Sequence, residues 1–184
     1  METSLITTQT KWIFDQSHSK IGFKIRHLMI SYVKGTFNTY DANITTTFKD
    51  FTTAVIDLWI DASSINTGDA TRDEHIKTAD FLNVEKYKQI LFKSSLIGQP
   101  DKEGNFELSG ELTIVGITKM VKLDVEFGGI VKDPWGNEKA GFTVAGKINR
   151  NDWGLRWNTP LETGGILVGD DVTISCEVEL TNAG

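Results

Sequence analysis

The segment Lys20-Ile21-Gly22-Phe23-Lys24-Ile25-Arg26-His27-Leu28 alternates with a period of two. Ile21, Phe23 and Ile25 fall on one side of an extended chain, with Lys20, Lys24 and Arg26 on the other. That is a strand with one dry face and one wet face. His27 then enters the dry row. An imidazole ending an apolar row makes the fold and the function one question: what does this row enclose?

The same alternation predicts strands near residues 11–15, 20–28, 31–48 (bent at Gly35), 54–61, 89–97, 105–115, 120–131, 139–150 and 171–181. The inward sets are consistent, as in Ile56, Leu58 and Ile60, or Val121, Leu123, Val125 and Phe127. Half-wet strands joined by short turns read as antiparallel. In Asp133-Pro134-Trp135-Gly136-Asn137, Pro134 presets a turn and Gly136 tolerates positive φ. One helix interrupts: Thr71 and Glu74 have capping-box spacing, and Ile76, Ala79 and Leu82 follow on one face. The 184 residues, without repeat or linker, read as one domain, 1–184. Eight or nine strands must hide their edges, which a closed barrel does fully and a sandwich only in part. An eight-stranded antiparallel barrel is either filled by its own side chains or just wide enough for one ligand. Alternation alone does not decide between the two.

Composition removes several functions. A net charge of −6, with interspersed signs, gives no basic footprint for nucleic acid. The lone cysteine, Cys176, excludes an internal disulfide and lies in phase with Val172, Ile174 and Val178, as a small core residue would. No apolar run is long enough for a membrane span. The start, METSLITTQTKW, lacks a basic region followed by an apolar one, so a cytoplasmic protein without a signal peptide is expected.

Three histidines, His18, His27 and His75, sit on separate elements without the spacing of a zinc motif, so no metal is expected. No catalytic residue is assigned either, since no triad or metalloprotease signature is present. Gly164 to Gly169 has the spacing of a phosphate loop, but Asp170 and Asp171 stand where Lys and Ser or Thr are needed. The glycines instead suit a tight bend before the last strand. The irregular stretch 151–169, with Trp153 and Trp157, fits either packing over a barrel end or a mouth cover. Arg72, Asp73 and His75 fit a capped solvated turn, or a cluster tying the helix to the barrel or pinning a polar head. His27, if inside, needs a hydrogen-bond partner or costs about 1–3 kcal/mol, and it serves either as a satisfied core histidine or as the group that orients a ligand head.

The phrases KWIFDQSHSKIGFKIRHLMIS, RDEHIKTADFL, ELTIVGITK, KDPWGNEKAGF, INRNDWGLRWN and LETGGILVGDDV occur in that order, from Trp12 to Leu180. Together they resemble the YceI-like family of polyisoprenoid-binding, lipocalin-like proteins. The resemblance implies an extended barrel, often a homodimer, holding a polyisoprenoid-type ligand such as an isoprenoid quinone or polyprenyl chain, with no other cofactor. Two positions depart from the family pattern: Val115, where a basic residue is usual, and Lys88, where proline often follows the tyrosine. The inward rows supply an expected ligand-binding wall of Phe14, Phe23, Ile25, Leu58, Ile60, Phe92, Leu112, Ile114 and Phe142, with His27 and Trp153 nearer the mouth. The expected function is binding of a hydrophobic small molecule as carrier or store. An enzyme using His27 or His75 and a filled barrel without ligand are the alternatives.

Overall fold

The computed structural model describes residues 8–184; residues 1–7, on which part of the reading of the N-terminus rests, lie outside the described residues. Eleven strands run in chain order: β1 Gln9–Phe14, β2 Lys20–His27, β3 Ser31–Phe37, β4 Tyr40–Thr47, β5 Asp50–Asp61, β6 Ile65–Asn66, β7 Gln89–Ile97, β8 Phe106–Ile114, β9 Ile117–Lys132, β10 Glu138–Asn149 and β11 Val168–Asn182. One helix, α1, spans Ala70–Lys77. All pairings are antiparallel, and the sheet closes where β11 pairs with β2 along Val168–Glu177 and with β1 along Leu180–Asn182. β1 and β2 therefore form one bent stave along β11. β3 and β4 form a second, paired to β2 and β1 respectively. Counted as staves, the eleven strands make the closed eight-stranded antiparallel barrel expected from the need to hide strand edges and from the family resemblance.

Three details differ from the sequence reading. The run 31–48 breaks at Asn38–Thr39 and not at Gly35. Gly35 stays inside β3, opposite Phe23, because the Phe23 ring occupies the space that a Cβ there would need. Phe92 lies over Gly110 in the same manner. The helix is capped by Asp69, whose side chain accepts from the Arg72 amide at 2.9 Å, and Thr71 lies within the first turn. Gly68, at φ 83°, ends the preceding strand and leaves Asp69 extended in the cap position. The helix stops at Lys77, so Ala79 and Leu82 lie beyond it, although Leu82 is still buried.

An aromatic plug closes the end of the barrel where β1 begins. Phe51 lies 4.8 Å from both Trp12 and Phe142 and 5.7 Å from Phe127, centroid to centroid. The Trp12 indole is fully buried and donates to Thr46 Oγ1 at 2.9 Å, which satisfies its N–H. The opposite end is where the β2–β3 turn, α1, the start of β11 and the stretch 150–168 meet.

Candidate functional site: an apolar lumen with a polar mouth

Between plug and mouth lies a cavity of about 660 Å³. This falls within the range of small-molecule sites, about 300–1,000 Å³. Phe14, Phe23, Ile25, His27, Leu58, Ile60, Phe92, Leu112, Ile114 and Phe142 all line it, so ten of the eleven expected wall residues converge there. Phe14, Phe23, Ile25, Leu58 and Phe142 point inward yet remain only half-buried. Their remaining accessible surface belongs to the hollow interior, so the barrel is not filled by its own side chains.

Trp153 is the exception. It is 2% exposed and donates from its indole to the Leu112 carbonyl at 3.0 Å, behind the wall and outside the lining. Its place follows from a short 3-10 turn, Arg150–Trp153, that Gly154 ends at φ 74°. Phe127 keeps the inward phase of Val125, since the register shift at Gly141/Phe142 comes after it, but it lies at the plug rather than on the lining, stacked on Phe142 at 5.2 Å.

Polarity is confined to the mouth. Below it the wall is apolar apart from Cys176, whose thiol burial pushes up and keeps protonated. The mouth carries Arg26, His27, Asp69, Thr71, Arg72, His75 and Arg150. His27 is half-buried and, among the described residues, its imidazole makes no hydrogen bond, so it is not the satisfied core histidine that burial would require. His75 Nε2 donates to Asp80 Oδ2 at 2.9 Å, and the ring sits edge-on to Trp157 at 4.8 Å and Phe81 at 5.3 Å. The three rings join α1 to the loop after Trp153. Asp73 is buried and accepts from the Thr67 amide and hydroxyl, while Arg72 donates to Thr67 Oγ1 and O. Of the readings of this cluster, tying the helix to the barrel is the one that the geometry shows.

Arg150 organises the mouth and was not singled out from the sequence. It is 3% exposed and donates to the carbonyls of Gly169, Leu155 and Trp157 at 2.6–2.9 Å. Its nearest carboxylate oxygen, on Asp170, is 3.9 Å away, so backbone dipoles rather than a salt bridge hold this buried cation. Burial pulls its pKa down and Asp170 pulls it up, but a guanidinium stays charged at any working pH. A signal existed: Arg150 continues the dry row Val144, Ile148, as His27 continues Ile21, Phe23, Ile25. The stretch 154–167 that it clamps brings Leu155, Trp157 and Leu167 to the mouth, and Gly164 and Gly165 bend it at φ 81° and 102°. Val115, the first departure from the family pattern, takes φ 45° in the β8–β9 turn at this end.

Outside the barrel, Asp15, His18 and Glu179 offer ligand atoms within 4.8 Å of one another. Lys139 Nζ already bridges the two carboxylates, 2.6 Å from Asp15 and 3.5 Å from Glu179. The Lys139 ammonium, helped by Ser17 and His18, holds the Asp15 carboxyl far below the usual carboxylate range. Folded Asp15 thus binds its proton more weakly than unfolded Asp15, so its contribution is complete above about pH 4 and fades as the pH falls further. Asp15→Asn is expected to cost about 1 kcal/mol at pH 7 and progressively less below pH 4. Urea unfolding at pH 7 and pH 3 measures both; no loss at pH 7 would show the pair to be idle.

A family model described as the YceI-like domain matches residues 12–180. A UPF0312 protein of Staphylococcus aureus (strain MSSA476) is 38% identical over 173 residues, covering 94% of this chain and 98% of the relative. The crystal structure of the Campylobacter jejuni YceI protein superposes with a TM-score of 0.74 at 36% identity, covering 92% of this chain and 96% of that one. A polyisoprenoid binding domain from Saccharophagus degradans superposes at 0.63 with 12% identity, covering 93% and 98%, which at that identity speaks for the fold alone. Among the described residues no helix is long and apolar enough to cross a membrane.

Proposed function

Since the chain belongs to the YceI-like domain family, we propose that its lumen holds one long apolar chain, an isoprenoid or similar lipid, as a carrier or store. The observation that carries this reading is the hollow itself: an apolar bore of about 660 Å³, plugged by Phe51 at one end and rimmed with polar groups at the other. The tail enters first and lies against Phe23, Ile25, Leu58, Phe92 and Leu112. The head stays at the rim beside His27 and Arg72. The Saccharophagus domain named for polyisoprenoid binding shares the fold that makes such a bore.

A hydrocarbon tail asks for removal from water and almost nothing else. Each buried methylene contributes about 0.8 kcal/mol, so ten supply about 8 kcal/mol before the lost freedom of the chain is subtracted. A wall without hydrogen-bonding groups is therefore the right chemistry. It is also a poor setting for catalysis, since the titratable groups are gathered at the rim.

Organic extraction of the purified protein, followed by mass spectrometry, is expected to yield a long-chain lipid near one per barrel. Affinity of the stripped protein for isoprenols is expected to rise with chain length until the tail meets Phe51, then level off. A stripped protein that takes up no geranylgeraniol overturns the reading. Conversion of the extracted lipid by the protein, abolished in a folded His27→Ala variant, would replace binding by catalysis.

A further inference from the structure

The β2–β3 hairpin differs in composition from the rest of the chain. Residues 16–40 include Lys20, Lys24, Arg26 and Lys34 and no acid, in a protein with 25 acidic residues and a net charge of −6. Its tip, Leu28-Met29-Ile30, is 38%, 55% and 81% exposed. The turn is closed by Ile30 N–H donating to the His27 carbonyl, with Leu28 and Met29 at φ 51° and 63°. Left-handed positions of this kind ordinarily take Asn or Gly. Leu and Met there suit neither the turn nor the core, so folding does not account for them.

What surrounds the tip identifies what it meets. The Arg26 guanidinium and the Lys24 ammonium lie 4.5 and 4.9 Å from the ring centroid of Tyr32, itself 47% exposed. Apolar side chains projecting beyond an aromatic and a collar of cations are the make-up of a bilayer-interface element. Two of the nearby acids face cations, Asp170 at 3.9 Å from Arg150 and Asp171 at 4.0 Å from Lys147. The tip also belongs to the mouth: the Leu28 amide donates to the Leu167 carbonyl at 2.9 Å, and the Met29 sulfur lies against Gly165.

We propose that Leu28, Met29 and Ile30, collared by Lys24, Arg26 and Lys34, dock on an anionic lipid bilayer and set the lumen mouth against it. This rests on the lumen reading for its purpose: a chain leaving the bilayer then reaches the bore without crossing bulk water. An anionic surface attracts the acid-free hairpin although the whole protein is negative, because screening confines the interaction to the nearest charges, within about 8–10 Å.

Flotation with phosphatidylcholine vesicles containing phosphatidylglycerol, against vesicles of phosphatidylcholine alone, tests the docking. The full chain is expected to float with the anionic vesicles and to be released by high salt. Met29→Ser/Ile30→Ser is expected to bind at least about tenfold more weakly, and Lys24→Gln/Lys34→Gln to lose a similar factor on anionic vesicles only. No flotation of the unmodified protein, or flotation of both variants on anionic vesicles equal to that of the unmodified protein, overturns the proposal. So does conversion of a dimer to a monomer by the tip variant, which would show the tip to be covered by a second copy. Geranylgeraniol added from ethanol without vesicles separates the two readings. Uptake retained by a tip variant that no longer floats is the expected result, whereas uptake lost with flotation would make the tip part of the bore. Flotation by an unmodified protein that takes up no geranylgeraniol would uphold docking and sink the lumen reading.

Discussion

Phe23→Asp is expected to weaken retention of a long isoprenoid chain by at least about a hundredfold while the barrel stays folded. Phe23 lies in the wall of the bore, the tip of its ring in the space beside Gly35 and its centroid 5.7 Å from that of Phe37. A carboxylate there cannot lose its water without a partner, and its neighbours Ile21, Ile25 and Phe37 supply none. It therefore brings water into the bore, and hydrocarbon beside that water gains nothing from entering. Losing the burial of three or four methylenes at about 0.8 kcal/mol each accounts for the factor of a hundred. Ala54→Phe reaches the same end without charge, since Ala54 lines the lumen towards the plug and a phenyl ring would occupy the space of the tail. Titration with geranylgeraniol measures both, with thermal melting as the check on folding. Lys24→Ala, on the outer side of the same strand, is the control and should bind as before. A folded Phe23→Asp variant with undiminished affinity would place the ligand elsewhere.

The second large effect concerns Arg150. Arg150→Met keeps the unbranched stem of the side chain but removes the donors to Gly169, Leu155 and Trp157. A buried carbonyl without a donor costs about 1–3 kcal/mol, and the loop recovers part of this by turning towards water, so a net loss of about 3 kcal/mol is expected. For a chain of this size that lowers Tm by about 6–12 °C. Lysine should not rescue it, because one ammonium cannot reproduce a planar fork aimed at three carbonyls. The amides of Leu167 and Val168, now donating to Thr159 O and Asn158 Oδ1, should exchange faster than in the unmodified protein. An unchanged Tm with unchanged exchange would mean that the clamp does not hold the mouth.

Much of this site is legible in the sequence because a barrel wall is a period-two object. Ile56, Leu58 and Ile60, or Val172, Ile174 and Cys176, point inward for the same reason that their neighbours point outward, and no long-range information is needed to see it. Phe51 escaped because the pairing of β4 with β5 shifts register between Thr45 and Thr47, which breaks the phase of the strand that contains it. Trp153 was misplaced because a lone tryptophan in an irregular stretch carries no phase. Its position depends on the 3-10 turn and on the one carbonyl, that of Leu112, which its indole reaches.

By itself, then, the amino-acid order determined most of the strands, their inner and outer faces and the family to which the chain belongs, since these follow from local alternation and short motifs. Tertiary structure alone decided that the bore is hollow, that an aromatic plug stops one end, and that Arg150 and the His75–Trp157–Phe81 rings build the other. The reason is geometric. Alternation states which way a side chain points, whereas the space left between opposite walls depends on strand tilt, on bulges, and on glycines that leave room for the rings of Phe23 and Phe92.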